Sequence, residues 1–286
     1  MTTSSSLNPR PVFWQSLAAG GLAGTTVDLL FFPIDTLKTR LQAPQGFVQA
    51  GGFRGIYKGV GSVGVGSAPG AAVFFATYDT LKQHSPLPES MVSVTHVCSA
   101  SLGEVAACLV RVPTEVIKTR AQTSIYGPGQ SSLSAARHVL ASDGFHGLYR
   151  GFGTTIMREI PFTSIQFPLY ELLKTRLSVY TRRKPLYPHE AAVCGSIAGG
   201  IAAATTTPLD VLKTRVMLDM RALGAQSTTM PSIATRFRSI YVNEGPSALF
   251  AGVLPRTIWI SAGGAVFLGV YEWAIGGLTI NVASLP

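Results

Sequence analysis

Apolar and polar positions alternate along this chain on a long wavelength. Long runs rich in Ala, Gly, Val, Leu and Phe, interrupted by single polar residues, each close on a short charged string. Three of these strings are copies of one another: Pro33-Ile34-Asp35-Thr36-Leu37-Lys38-Thr39-Arg40, Pro113-Thr114-Glu115-Val116-Ile117-Lys118-Thr119-Arg120 and Pro208-Leu209-Asp210-Val211-Leu212-Lys213-Thr214-Arg215. Each reads P-x-D/E-x-x-K-T-R. The prolines stand 80 and 95 residues apart (Pro33 to Pro113, Pro113 to Pro208), so the chain is a threefold repeat. A second marker follows in each unit: Gly52-Phe53-Arg54-Gly55-Ile56-Tyr57-Lys58-Gly59, then Gly144 to Gly151, then Gly245 to Gly252. A second apolar run then closes on Tyr78-Asp79, Tyr170-Glu171 or Tyr271-Glu272.

The unit is therefore helix, proline signature, amphipathic linker, glycine marker, helix. Three units predict an all-α membrane protein with six spans at about 11–42, 59–83, 91–122, 151–178, 188–220 and 252–279. The N-terminal tail is 1–10, and the repeats run 11–83, 91–178 and 188–279 within one integral domain. An even number of spans puts both termini on one side and the linkers on the other. Each linker has room for a short surface helix, most clearly at 131–143 and 231–244. The first linker is the shortest: 26 residues from Pro33 to Gly59, against 38 and 44 for the equivalent distances.

Composition agrees with a membrane reading. The chain has 286 residues, 47% hydrophobic and 13% charged, where a soluble domain is about one quarter charged. Mean hydropathy is +0.31. The net charge is +9, but the bases sit at helix ends and between spans, without the clusters and interleaved aromatics of a nucleic-acid surface. That distribution suits loops facing anionic lipid. The three cysteines (Cys98, Cys108, Cys194) lack metal-ligand spacing and read as small core residues. His84, His96, His138, His146 and His189 fall at helix ends or in linkers with no catalytic motif around them. The expectation is no enzyme, no metal and no cofactor.

The signatures and glycine markers together resemble the mitochondrial carrier family, over nearly the whole chain. The resemblance implies six transmembrane helices in a pseudo-threefold barrel, three surface helices on the matrix side, a central cargo site and alternating access in the mitochondrial inner membrane; related carriers also serve plastid envelopes. The physics is compatible: proline kinks a helix, and three kinked helices about a threefold axis converge at one end. By analogy with the family, Asp35 would pair with Lys118, Glu115 with Lys213 and Asp210 with Lys38 as a matrix gate. Gln42 and Gln122 would brace it; Met217 replaces the third glutamine. At the opposite end, Asp79 would pair with Lys174 and Glu272 with Lys82. Ile275 replaces the third base, leaving Glu171 without its partner. Gly52, Gly59, Gly144, Gly151 and Gly245 mark helix starts where the resemblance implies bound cardiolipin, with Ala251 in place of a base in the third copy. The protein is expected to act as a monomer.

Cargo choice belongs where the repeats disagree. Twelve residues before the tyrosines stand Gly66, Arg158 and Trp259, followed by Ser67, Glu159 and Ile260. In the family these are cargo contacts. The adjacent Arg158-Glu159 suits a zwitterion, with the arginine on a carboxylate and the glutamate on an ammonium. Asp28 and Glu104 are further acids inside spans, functional candidates by default, with Arg111 and Arg158 as candidate neutralising partners. Glu104 also interrupts the small-residue spacing seen at Gly20 and Gly24 and at Gly195 and Gly199. Three interior acids against about two bases suggest extra positive charge on the cargo, and Trp259, Phe74 and Phe75 could supply a cation–π or stacking contact. Val27-Asp28-Leu29, the short first linker and the segment Glu104 to Pro113 are similar to those of family members that carry S-adenosylmethionine. That resemblance implies S-adenosylmethionine and S-adenosylhomocysteine as exchanged cargo. A carrier of another cationic amino acid or related metabolite, or a carrier-like receptor that no longer transports, remains open.

Overall fold

The computed structural model describes residues 13–84, 92–127, 131–183, 186–219 and 232–264, with 266 and 270. The tail 1–10, Tyr271, Glu272 and Ile275 lie outside the described residues, and so do the side chains of Ser67, Phe75, Asp79 and Lys82. Among the described residues all regular structure is helical: α1 (Phe13–Gln42), α2 (Val60–Gln83), α3 (Val92–Gln122), α4 (Ser132–Leu148), α5 (Phe152–Thr181), α6 (Pro188–Thr205), α7 (Thr207–Leu218), α8 (Ile233–Glu244), α9 (Pro246–Leu249) and α10 (253–264).

The long elements close a ring. α2 packs between α1 and α3, α3 meets α5, and α5 lies along α6 and α7. α10 completes the circuit: Ser261 Oγ donates to Ser196 O of α6 at 3.0 Å, and Gly263 faces Val27 of α1. At the signature end α1, α3 and α7 also touch one another across the ring. The outward faces are apolar at helical spacing, with exposed Leu22 and Leu29, Leu102 and Leu109, Ile160 and Phe167, Ile197 and Ile201. The charged side chains described below face inward. This is the inverse of a soluble bundle, where such an apolar band would be covered.

Two expectations are corrected here. The third odd helix is not continuous: it breaks at Thr206 into α6 and α7, bent by 62°. α1 and α3 run through Pro33 and Pro113 without a break. The difference lies in Thr205-Thr206-Thr207 before Pro208. All three hydroxyls bond back to carbonyls one turn earlier, Thr206 to Ala202 O and Thr207 to Ala203 O at 2.7 Å, where they compete with the helix ladder. Proline removes one more donor. Among the described residues no single helix is long and apolar enough to cross a membrane by that measure; the bent α6–α7 pair passes it jointly.

The first linker carries no surface helix. Residues 43–59 form consecutive turns, with positive φ at Gly46, Gly51, Gly52, Gly55 and Gly59. The other two linkers fold as expected, into α4 and α8, each opened by a serine cap (Ser131, Ser232).

Candidate functional site

Inside the ring lies a cavity of about 530 Å³. Of the residues expected to choose the cargo, Asp28, Gly66, Arg158, Glu159 and Trp259 line it. Glu104 is not on its wall, but reaches it through Arg111, whose Nη2 lies 2.5 Å from Glu104 Oε1 and 3.1 Å from Glu159 Oε1. The adjacent Arg158 and Glu159 bond each other directly. Gly66 has a packing reason of its own: a Cβ there would lie 2.1 Å from Thr114 Oγ1, so glycine is what lets α2 close on α3.

At the signature end, where Glu115 and Lys118 line the cavity, stands a ring of three ion pairs. Lys118 Nζ lies 2.8 Å from Asp35 Oδ2, Lys213 Nζ 2.7 Å from Glu115 Oε2 and Lys38 Nζ 2.8 Å from Asp210 Oδ2. Each joins two repeats. Gln42 Nε2 donates to Asp210 Oδ2 at 2.8 Å and its carbonyl oxygen accepts from Thr214 Oγ1 at 2.6 Å. Gln122 Nε2 donates to Asp35 Oδ2 and to Thr36 Oγ1, both at 3.1 Å. The Glu115–Lys213 pair lacks such a brace, because Met217 stands there and packs into an apolar cluster with Cys108, Val112, Val116 and Val139.

A second ring runs one turn further out. Arg40 Nε donates to Gln122 O at 2.8 Å, Arg120 Nε to Met217 O at 3.0 Å and Arg215 Nε to Gln42 O at 3.3 Å. Each signature arginine thus takes a carbonyl at the C-terminal end of the next helix, where orphan acceptors and the negative end of the dipole favour a cation. The lysines and arginines point to opposite neighbours, so each signature holds both of the others. The remaining arginine nitrogens differ. Arg120 binds Asp143 and Arg215 binds Glu244, from α4 and α8. The first repeat has Gly51 at the equivalent position, and Arg40 instead donates to Gly52 O, Arg54 O and Gly55 O. Its fully buried guanidinium is therefore the scaffold on which the turn-only linker is wound.

The marker glycines sit at contacts between repeats. Gly59 (φ 89°) and Gly252 (φ 74°) abut Lys118 O and Lys38 O, where a Cβ would lie 3.2 Å away, and Gly151 (φ 89°) abuts Met217. Positive φ and close approach both call for glycine. Gly144 kinks α4 and Gly245 caps α9, whereas Gly52 begins no helix. The preceding bases are engaged within the protein: Lys58 Nζ donates to Ser124 Oγ at 3.4 Å, and Arg150 to Asp219 O and Asp143. At the opposite end, Lys174 pairs with Glu171 of its own helix at 3.1 Å and lies over the Tyr170 ring. The Glu171–Lys174 contact is local, three residues apart on one helix. The expected partners of these residues on other helices, Asp79 and position 275, lie outside what the structure describes.

Sequence reading missed Arg256 and understated Arg111. Arg256 is buried, donates to Thr206 O and Oγ1 at 3.2 and 3.0 Å, and lies 3.5 Å from Asp210. The Thr206 carbonyl accepts twice, from Arg256 and from the backbone N–H of Asp210 at 3.2 Å. Among the described residues the count of about two interior bases is therefore corrected to three. Their signal was available, since Arg256 has no basic counterpart in the other repeats: the aligned residues are Val63 and Thr155.

A six-membered ring of helical elements, a charged interior and three signatures at one closed end define a carrier architecture. The chain belongs to the mitochondrial carrier family: the profile described as "Mitochondrial carrier protein" matches residues 9–86, 89–181 and 184–281. Among its relatives, the mitochondrial S-adenosylmethionine carrier protein of Mus musculus is 50% identical, over 92% of this chain and 94% of the relative. The protein of the same name from Danio rerio is 49% identical over 92% and 97%. The putative mitochondrial carrier protein PET8 of Saccharomyces cerevisiae is 52% identical over 91% and 93%.

Proposed function

We propose that this chain exchanges S-adenosylmethionine for S-adenosylhomocysteine across the mitochondrial inner membrane by alternating access. The observation that carries the reading is the cavity in which Asp28, the Arg158–Glu159 pair and Trp259 meet above a closed ring of ion pairs. A zwitterionic amino-acid end needs both charges of the Arg158–Glu159 pair, a sulfonium needs a further carboxylate, and an adenine needs a flat apolar wall. Relatives about half identical over nine-tenths of the chain carry S-adenosylmethionine by name.

The six long segments span the membrane in this reading. α1, α2, α3 and α5 have 30, 24, 31 and 30 residues. At about 1.5 Å per residue each exceeds the ~30 Å apolar core of a bilayer. Their apolar outward faces and charged inward faces account for the modest hydropathy of single helices. The signature ring is the matrix gate, shut in this state. In this reading the cavity, closed at the signature ring, opens towards the intermembrane space. The linker turns and the helix starts at Gly144 and Gly245 offer backbone N–H groups to cardiolipin phosphates, and the protein works as a monomer.

The test is exchange of labelled S-adenosylmethionine into liposomes holding S-adenosylhomocysteine, using purified full-length protein. Saturable, S-adenosylhomocysteine-dependent uptake is expected. Uptake only of basic amino acids, or none by demonstrably folded protein, would overturn the cargo assignment.

A further inference from the structure

We propose that Arg111 is an internal stand-in for the cargo's cation: in the empty carrier it occupies carboxylates that cationic cargo later claims. The proposal rests on reading the cavity as the cargo site. Once the three signature pairs cancel, the interior holds, among the described residues, Asp28, Glu104 and Glu159 against Arg111, Arg158 and Arg256. The interior charge is therefore balanced by the protein's own arginines. A charge moved out of water into such a site is costly unless a counter-charge is freed for it. One arginine must yield.

The three arginines are not held alike. Arg256 is fixed to the backbone and hydroxyl of Thr206, with its side chain 1% exposed. Arg158 is 13% exposed and bridges Glu159 towards Asp210. Arg111 is 31% exposed, and its described partners are all side chains: Glu104, Cys108, Glu115 and Glu159. A single nitrogen, Nη2, serves both Glu104 and Glu159 instead of a two-pronged fork on one carboxylate. Its Nε lies 3.3 Å from Glu115 Oε1 without forming a hydrogen bond.

Displacement has a natural destination. Glu115 presents Oε1 to Arg111 and Oε2 to Lys213, and this is the one signature pair without a glutamine brace. An Arg111 pushed off Glu104 and Glu159 moves onto Glu115 and competes with Lys213 there. Cargo charge is thereby coupled to the least supported pair of the gate. A cargo without the extra cation leaves Arg111 in place and meets a firmer gate.

The experiment compares wild type, Arg111→Ala and Arg111→Lys in liposomes and in detergent. Arg111→Ala is expected to lower KM for S-adenosylmethionine by on the order of tenfold, equivalent to ~1.4 kcal/mol, with a reduced kcat, while KM for S-adenosylhomocysteine stays within about twofold. Arg111→Lys shifts the ratio of the two KM values in the same direction by less. Millimolar methylguanidinium, but not sodium, raises the melting temperature of Arg111→Ala and leaves wild type unmoved. Equal KM changes for both cargoes, or an equal methylguanidinium response in wild type and variant, overturn the proposal. Should Arg111→Ala fail to fold, an unchanged KM ratio in Arg111→Lys overturns it. Absent S-adenosylmethionine exchange in wild type sinks the cargo reading alone, and the methylguanidinium comparison still decides the role of Arg111.

Discussion

The signature end and the cavity above it are built from the same kinds of residue on opposite plans. At the signature end, acid, lysine and arginine recur in all three repeats and bond in two rings of opposite sense. In the cavity, the equivalent positions hold Gly66, Arg158 and Trp259, and the remaining charges come from single repeats. Threefold repetition suits a gate, because three equal pairs close a symmetric opening whatever passes. It cannot recognise an asymmetric cargo, so recognition falls to the positions where the repeats diverge. Variants in the two regions should therefore fail differently: signature variants in stability and in rate for every cargo, cavity variants in discrimination between cargoes.

The largest effect is expected at the place where the outer ring departs from symmetry. Arg40 is fully buried, has no carboxylate partner among the described residues, and satisfies four carbonyl oxygens. Bonds to a charged donor are worth roughly 1.5–3 kcal/mol each, and orphaned carbonyls add to the loss. Arg40→Ala should destabilise the protein by at least ~3 kcal/mol, unwinding the first linker. Arg215→Ala should cost less, because its partner Glu244 is an exposed acid. Thermal melts of the two purified variants check the order; equal losses would show that the linker does not depend on Arg40.

Next comes Asp28, on the cavity side of the comparison. Asp28→Asn keeps shape and removes charge. It is expected to lower kcat/KM for S-adenosylmethionine by at least about tenfold, with melting temperature nearly unchanged. A drop shared equally by neutral-sulfur cargo would move Asp28 from recognition to gating.

The same division explains what the sequence revealed beforehand. Helix positions were legible because repeats can be laid on one another and gaps counted; the three lysine–acid partnerships and the missing third brace at Met217 came from the family resemblance. What stayed hidden depends on contacts through space. The break at Thr206 needs three hydroxyls bonding backwards at once. The loss of the first surface helix follows from Arg40 gathering three linker carbonyls, although five glycines between 46 and 59 and the missing acid at Gly51 were a cue. Arg256 was missed because its role depends on Asp210 and Thr206, distant in sequence, lying within its reach. Lys58 and Arg150, which precede the marker glycines Gly59 and Gly151, tie their repeat to the next one.

The braces offer a finer test within the gate. Gln42 bonds Asp210 and Thr214 at 2.8 and 2.6 Å, Gln122 its partners at 3.1 Å. Replacing each by the residue of the third repeat equalises the three pairs. Gln42→Met should cost ~1–2 kcal/mol and Gln122→Met less, by the usual worth of buried hydrogen bonds. Both should speed or slow exchange of all cargoes together. A reversed order of melting temperatures, or an effect confined to one cargo, would break the distinction between gate and cavity.

The smallest expected effect is a pH dependence at the surface linker. The Arg215 guanidinium on α7 holds the Glu244 carboxyl on α8 below the usual carboxylate range, chiefly by hydrogen bonding. A carboxyl with a depressed folded pKa adds stability above its unfolded pKa of about 4.3, and that stability is lost as pH falls through the folded value. Glu244 is nearly half exposed, which limits the pair to roughly 0–1 kcal/mol after solvent screening. Glu244→Gln should therefore melt slightly below wild type at pH 7, and the gap should close as pH drops below about 4 and as salt rises. Asp143, buried against Arg120 and Arg150 in the second repeat, is the contrasting case: Asp143→Asn should cost more at pH 7 and respond less to salt. If the two variants show the same salt response, the linkers of the second and third repeats are held in the same way despite their different burial.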